Sequence, residues 1–298
     1  MTHLRRLLPL WLATVLLLCC WQARADEGTF LSDRLSVEVL GAGPDVILIP
    51  GLASSRDVWR PLANTLAGRY RVHLVQLAGF AGEPWFHADE PFLQPAVDEL
   101  DRYIVQAKLQ QPAIIGHSLG GLAALLLAQA HPEAVGRVMT VDTLPFYSAL
   151  FYPWITADQA RPVAERAAAE VLGLDDTTYH DRQVVVAQGL TRDPGMQQQI
   201  VQWSTASDRH AVATALREIM LTDAREGLAS MTTPVTAVYA DAGRPADQVD
   251  ELWSQGYRGL PGVKRVRVAG SLHFIMSDQP AAFARLVEGF LARPAGAQ

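Results

Sequence analysis

Gly116-His117-Ser118-Leu119-Gly120 constrains the fold of this chain more than any other stretch. It fits the pattern G-x-S-x-G, and its flanks give that pattern mechanical meaning. Pro112-Ala113-Ile114-Ile115 reads as a short buried strand, and Gly121 to Ala128 reads as a helix of strong helix formers. A serine between the two lies on a tight strand-to-helix turn, in a strained backbone conformation. Glycines at 116 and 120 leave room for that turn, because a side chain at either would meet the neighbouring strand or helix. The Ser118 hydroxyl is thereby exposed at a helix N-terminus, where the helix dipole favours developing negative charge. Five residues this loosely specified recur by chance. The strand before and the helix after make Ser118 the candidate nucleophile.

The N-terminus reads as an address. Arg5 and Arg6 precede an apolar run from Leu7 to Cys20, and Ala23-Arg24-Ala25 follows as an A-x-A cleavage pattern. The run is about 14 residues long, short of the roughly 20 that a membrane span needs. Residues 1–25 are therefore expected to be a cleaved signal peptide that sends the chain to the periplasm or outside, with an uncleaved anchor as the alternative. Leu18 before Cys19 is a poor fit to a lipoprotein signal. Both cysteines, Cys19 and Cys20, fall in this segment, so the mature chain would hold no disulfide, cysteine nucleophile or zinc-thiolate site. Removing residues 1–25 takes three arginines and no acid from a chain with 25 basic and 31 acidic residues, which leaves a net charge of −9. That balance argues against nucleic acid and anionic membrane surfaces as partners. No stable membrane insertion is expected after cleavage.

The remaining residues, 26–298, suffice for one large domain. Leu35 to Leu40 alternates as a half-buried strand does, while Val46-Ile47-Leu48-Ile49 is continuously apolar, like a central parallel strand covered on both faces. A helix over Trp59 to Leu66, a strand over Tyr70 to Leu77, an amphipathic helix over Asp98 to Leu109, the elbow and a strand at Val138 to Val141 follow. From Leu144 to about Ser230 the pattern is helical without clear strands. Strand character returns at Val235 to Tyr239 and at Val263 to Val268, with helices at Asp247 to Gln255 and Ala281 to Leu291. This alternation predicts an α/β fold with a mostly parallel central sheet, helices on both faces and a helical cap at about 144–230, inserted after the sixth strand.

Several motifs together resemble the α/β-hydrolase superfamily over nearly all of the mature length. They are Pro50-Gly51-Leu52, Gly79-Phe80-Ala81-Gly82, the Gly116–Gly120 elbow, Gly270-Ser271-Leu272-His273-Phe274 and Asp278-Gln279-Pro280-Ala281-Ala282-Phe283. The order serine then histidine is the one this family uses. A serine hydroxyl needs an adjacent base. His273, after a strand and before the last helix, is the candidate. His73, His87, His131, His180 and His210 match no family position. The resemblance places the acid after the strand Val235–Tyr239, which selects Asp241, although the family's aspartate usually stands about three residues further on. Asp142, at the end of the preceding strand, is the alternative. One oxyanion donor would be the backbone N–H of Leu119, directly after the nucleophile. The resemblance gives the other as the N–H of Leu52, where this chain has Pro50-Gly51 in place of the family's frequent His-Gly.

Aromatic residues crowd two sheet-edge segments, and Phe80, Phe146, Phe151 and Trp154 are expected to line an apolar substrate pocket. The leading reading is a serine hydrolase for carboxylic esters with an apolar part. Amide, thioester or carbon–carbon hydrolysis, acyl transfer, perhydrolysis and a slow-turnover ligand-binding or signalling protein are the alternatives. Ser118 argues against the aspartate-nucleophile dehalogenases and epoxide hydrolases of this fold. The sequence contains no P-loop, dinucleotide fingerprint or metal-ligand cluster, so no cofactor is expected.

Overall fold

Strands with no polar face decide the architecture. In β2 (Asp45–Ile49) the four residues from Val46 onward are fully buried, and their side chains point alternately to opposite faces. Each contributes roughly 1.5–3 kcal/mol of burial, so both faces of the sheet need a covering layer. The computed structural model, which describes residues 30–88 and 90–292, supplies it. The expected signal peptide, residues 1–25, lies outside the described residues.

The seven-stranded sheet comprises β1 (Leu35–Leu40), β2, β3 (Arg71–Leu77), β4 (Ala113–His117), β5 (Arg137–Val141), β6 (Val235–Ala240) and β7 (Lys264–Val268), in the order β1-β3-β2-β4-β5-β6-β7. Only β1 runs antiparallel, with Leu35 opposite Leu77; the other pairs are parallel. One face packs on α2 (Leu93–Gln106), α3 (Leu119–Ala130) and α8 (Ala246–Gly256), through Leu100, Leu125 and Trp253. The other packs on α1 (Arg60–Leu66) and α10 (Pro280–Leu291), through Leu62, Phe283 and Val287. Parallel strands all end at one edge, so the loops after β2, β4, β5, β6 and β7 converge there.

Between β5 and β6 the chain folds into α4 (Ala157–Gly173), α5 (Asp176–Leu190), α6 (Pro194–Ala206) and α7 (Arg209–Leu221). The helices start where the sequence supplies caps: Thr156, Asp175, Asp193 and Asp208 each accept a first-turn N–H. This helical insertion follows the fifth strand, not the sixth, because among the described residues only five strand-forming runs precede Leu144. The helix expected from Asp98 also begins earlier, at Leu93. The Glu218 carboxylate of α7 accepts the N–H groups of Phe92 at 3.1 Å and Leu93 at 2.6 Å, which caps α2 and ties it to the insertion. Among the described residues no helix is long and apolar enough to cross a membrane.

Candidate active site

Ser118 joins β4 to α3 with φ of 52° and ψ of −117°, a conformation that costs on the order of 1–3 kcal/mol. The surroundings enforce it. Ser118 N–H donates to the Val141 carbonyl at 3.0 Å, and the Ser118 carbonyl accepts from Gly121 N–H at 2.9 Å and Thr143 Oγ1 at 2.9 Å. A Cβ on Gly116 would meet the Gly120 carbonyl at 2.2 Å, so the crossing of strand and helix excludes any side chain there. Leu119 is the first residue of α3, where an N–H has no partner within the helix. Across from it, a Cβ on Gly51 would stand 3.2 Å from Ser118 Cβ, which sets the Gly51-Leu52 turn against the candidate nucleophile.

His273 arrives on the loop after β7. Its Nδ1 lies 2.6 Å from Asp142 Oδ2. A carboxylate only accepts, so Nδ1 carries a proton, and in the neutral ring that tautomer leaves the lone pair on Nε2. The acid beside the imidazole is thus Asp142, and the expectation of Asp241 is corrected. Asp142 directly follows β5 with φ of 48°, a left-handed turn that aspartate tolerates. Its Oδ1 accepts the Ala240 N–H at 2.9 Å while Oδ2 faces the ring. Asp241 is occupied elsewhere. Its two oxygens accept the N–H groups of Gly270 at 2.9 Å and Gly243 at 3.3 Å, which joins the loops after β6 and β7.

His117 has a place that the sequence reading did not give it. The ring is buried, and its Nε2–H donates to the His273 carbonyl at 3.1 Å. The two imidazoles lie 4.4 Å apart between centroids. Burial, and then the neighbouring His273, hold His117 well below the ordinary histidine range, so it stays neutral. A ring that is part of the elbow therefore supports the loop carrying the second histidine.

Ser118, His273, Asp142 and Leu52 open onto one cavity of about 1110 Å³ beneath the helical insertion. The alpha/beta hydrolase family profile matches residues 46–286. The chain belongs to the alpha/beta hydrolase family. It is 38% identical over 115 residues to a pimeloyl-[acyl-carrier protein] methyl ester esterase from Aeromonas hydrophila, a match spanning 39% of this chain and 44% of that enzyme. The enzyme of the same name from Yersinia enterocolitica is 28% identical over 274 residues, which cover 86% of this chain and 97% of its own length. Among solved structures, the enol-lactonase from Burkholderia xenovorans superposes with a TM-score of 0.72 at 17% identity, covering 87% of this chain and 96% of that one. That likeness shows the fold.

In this alpha/beta hydrolase the cavity wall differs from the aromatic set expected. Phe151 lines it, but Phe80, Phe146 and Trp154 do not. Phe80 is fully buried and stacks on Phe92 at 4.7 Å, because the turn after β3 aims it at α2. Phe146 is buried against Ala149 and Ala160 with the Arg225 guanidinium over its ring, and Trp154 is 78% exposed. The lining instead includes Tyr147, Tyr152 and Tyr179 together with Val212, Leu216 and Ile219 of α7. Those last three recur at i, i+4 and i+7, a helical apolar stripe that the sequence does display.

Proposed function

We propose that the chain is a serine hydrolase of carboxylic esters. The observation that carries this is the 2.6 Å Asp142–His273 pair, facing the same cavity as a serine held at φ of 52° on the elbow. In the reaction, Ser118 Oγ attacks the ester carbonyl while His273 Nε2 takes its proton. The oxyanion of the tetrahedral intermediate receives the N–H groups of Leu52 and Leu119, and the dipole of α3 adds to them. His273 then protonates the departing alcohol, leaving an acyl-serine. A water molecule, deprotonated by His273, attacks that acyl-serine and releases the acid. Asp142 holds the tautomer that keeps Nε2 free and stabilises the imidazolium as it forms. Esterase relatives support this assignment.

The cavity wall favours an ester with an apolar acyl or aryl part, and 1110 Å³ exceeds the roughly 300–1,000 Å³ of common small-ligand pockets. In a panel of p-nitrophenyl esters of graded acyl length, kcat/KM should rise from acetate to medium-chain acyl groups. A monotonic fall with chain length would refute the apolar-pocket reading, and no turnover of any ester would refute the hydrolase reading.

We further propose export to the periplasm or beyond, supported by Arg5, Arg6, the apolar run and Ala23-Arg24-Ala25. N-terminal sequencing of protein from the envelope or medium should begin at Asp26. Full-length protein confined to the cytoplasm would refute it.

A further inference from the structure

Among the described residues, the loop carrying His273 is fastened to the helical insertion by four hydrogen bonds, and one carboxylate makes two of them. Asp278 ends α9 (Ile275–Asp278), five residues after His273. Its Oδ1 accepts Thr191 Oγ1–H at 2.6 Å and Arg192 N–H at 2.7 Å, and its Oδ2 accepts Leu272 N–H at 2.7 Å. Beside it, Phe274 N–H donates to the Leu190 carbonyl at 2.9 Å, and Ser277 Oγ–H donates to Asp193 Oδ2 at 2.7 Å. Residues 190–193 form the corner between α5 and α6. The peptide N–H groups on either side of His273 are therefore both tied to that corner, one directly and one through Asp278. On the elbow side, His117 holds the His273 carbonyl.

We propose that Asp278 is a positioning residue that makes the α5–α6 corner part of the support of His273, so that the insertion sets the reactivity of the base as well as enclosing substrate. This rests on the hydrolase reading above. Short hydrogen bonds to an ionised acceptor are the strong kind, and the donors to Asp278 come from two segments about 80 residues apart in sequence, the α5–α6 corner and the His273 loop. A carboxamide at 278 has one accepting oxygen and one donating nitrogen. However it is oriented, either Leu272 N–H or the Thr191–Arg192 pair then faces a donor. Displacing a catalytic group by about 1 Å costs about 10²-fold in rate. Glu218 provides a comparison, because it also fastens the insertion to the core but does so at the start of α2 rather than at the His273 loop.

The test measures kcat and KM per active site, titrated with a fluorophosphonate, alongside melting temperature. Asp278→Asn should lower kcat per titrated site by about 10²-fold with KM little changed. Thr191→Val should lower it several-fold, and the double variant should be no worse than Asp278→Asn alone, because both remove parts of one contact. Glu218→Gln should lose melting temperature and keep its kcat per titrated site. Full kcat per labelled site in Asp278→Asn, or an equal loss in Glu218→Gln, would overturn the inference. Should Asp278→Asn not fold, Thr191→Val decides alone, and unchanged kcat in it would overturn the inference. A wild-type protein that takes no probe and cleaves no ester would instead refute the hydrolase reading, a result distinct from either.

Discussion

Asp142→Asn is expected to lower kcat by up to about 10⁴-fold, and Asp241→Asn by no more than about 10-fold. The substitutions are alike in shape and in charge removed, so the ranking isolates position. At 142 the amide can keep its oxygen on the Ala240 N–H, which leaves its nitrogen facing His273 Nδ1. A donor there selects the tautomer with the proton on Nε2, and the lone pair that should receive the Ser118 proton is lost. The imidazolium that forms during attack also loses its counter-charge. At 241 the change weakens only the bonds to Gly270 and Gly243, which hold the loops after β6 and β7. Turnover of a p-nitrophenyl ester, with melting temperatures to confirm folding, measures both. The reverse ranking would give the role to Asp241. Near-wild-type rates in both variants would mean that neither carboxylate orients His273.

The elbow is legible in the sequence because every property it needs is local: a short apolar strand, glycines where backbones cross, and a helix of good formers immediately after Ser118. The parallel sheet is legible for a similar reason, since Val46 to Ile49 has no polar face to show to water. The choice of acid is not local. β5 and β6 are neighbours that end at the same sheet edge, so Asp142 and Asp241 are equivalent as sequence. What separates them is the left-handed turn at Asp142 and the Ala240 N–H that takes its other oxygen. Hydrophobicity likewise says that Phe80 and Phe146 are buried, but not whether the space beside them is core or cavity. Glu218 on Phe92 and Asp278 on Thr191 join positions 126 and 87 residues apart, beyond the reach of any spacing argument. Glu218 also explains why α2 starts at Leu93, ahead of the amphipathic stretch that announces it.

Ser118→Ala should reduce esterase turnover on the order of 10⁴-fold or more, with the fold intact, because the hydroxyl forms the bond on which every later step depends. Alanine fits the elbow at no steric cost, so the loss reports chemistry and not packing. The residue left behind would be the oxyanion donors and the cavity, which retain modest catalysis of direct water attack. Labelling with a fluorophosphonate, followed by peptide mapping, tests the assignment most directly. One adduct is expected, on Ser118 of the wild type, with the Ser118→Ala variant unlabelled and inactive. An adduct on another residue, or a Ser118→Ala variant that keeps its activity, would contradict it.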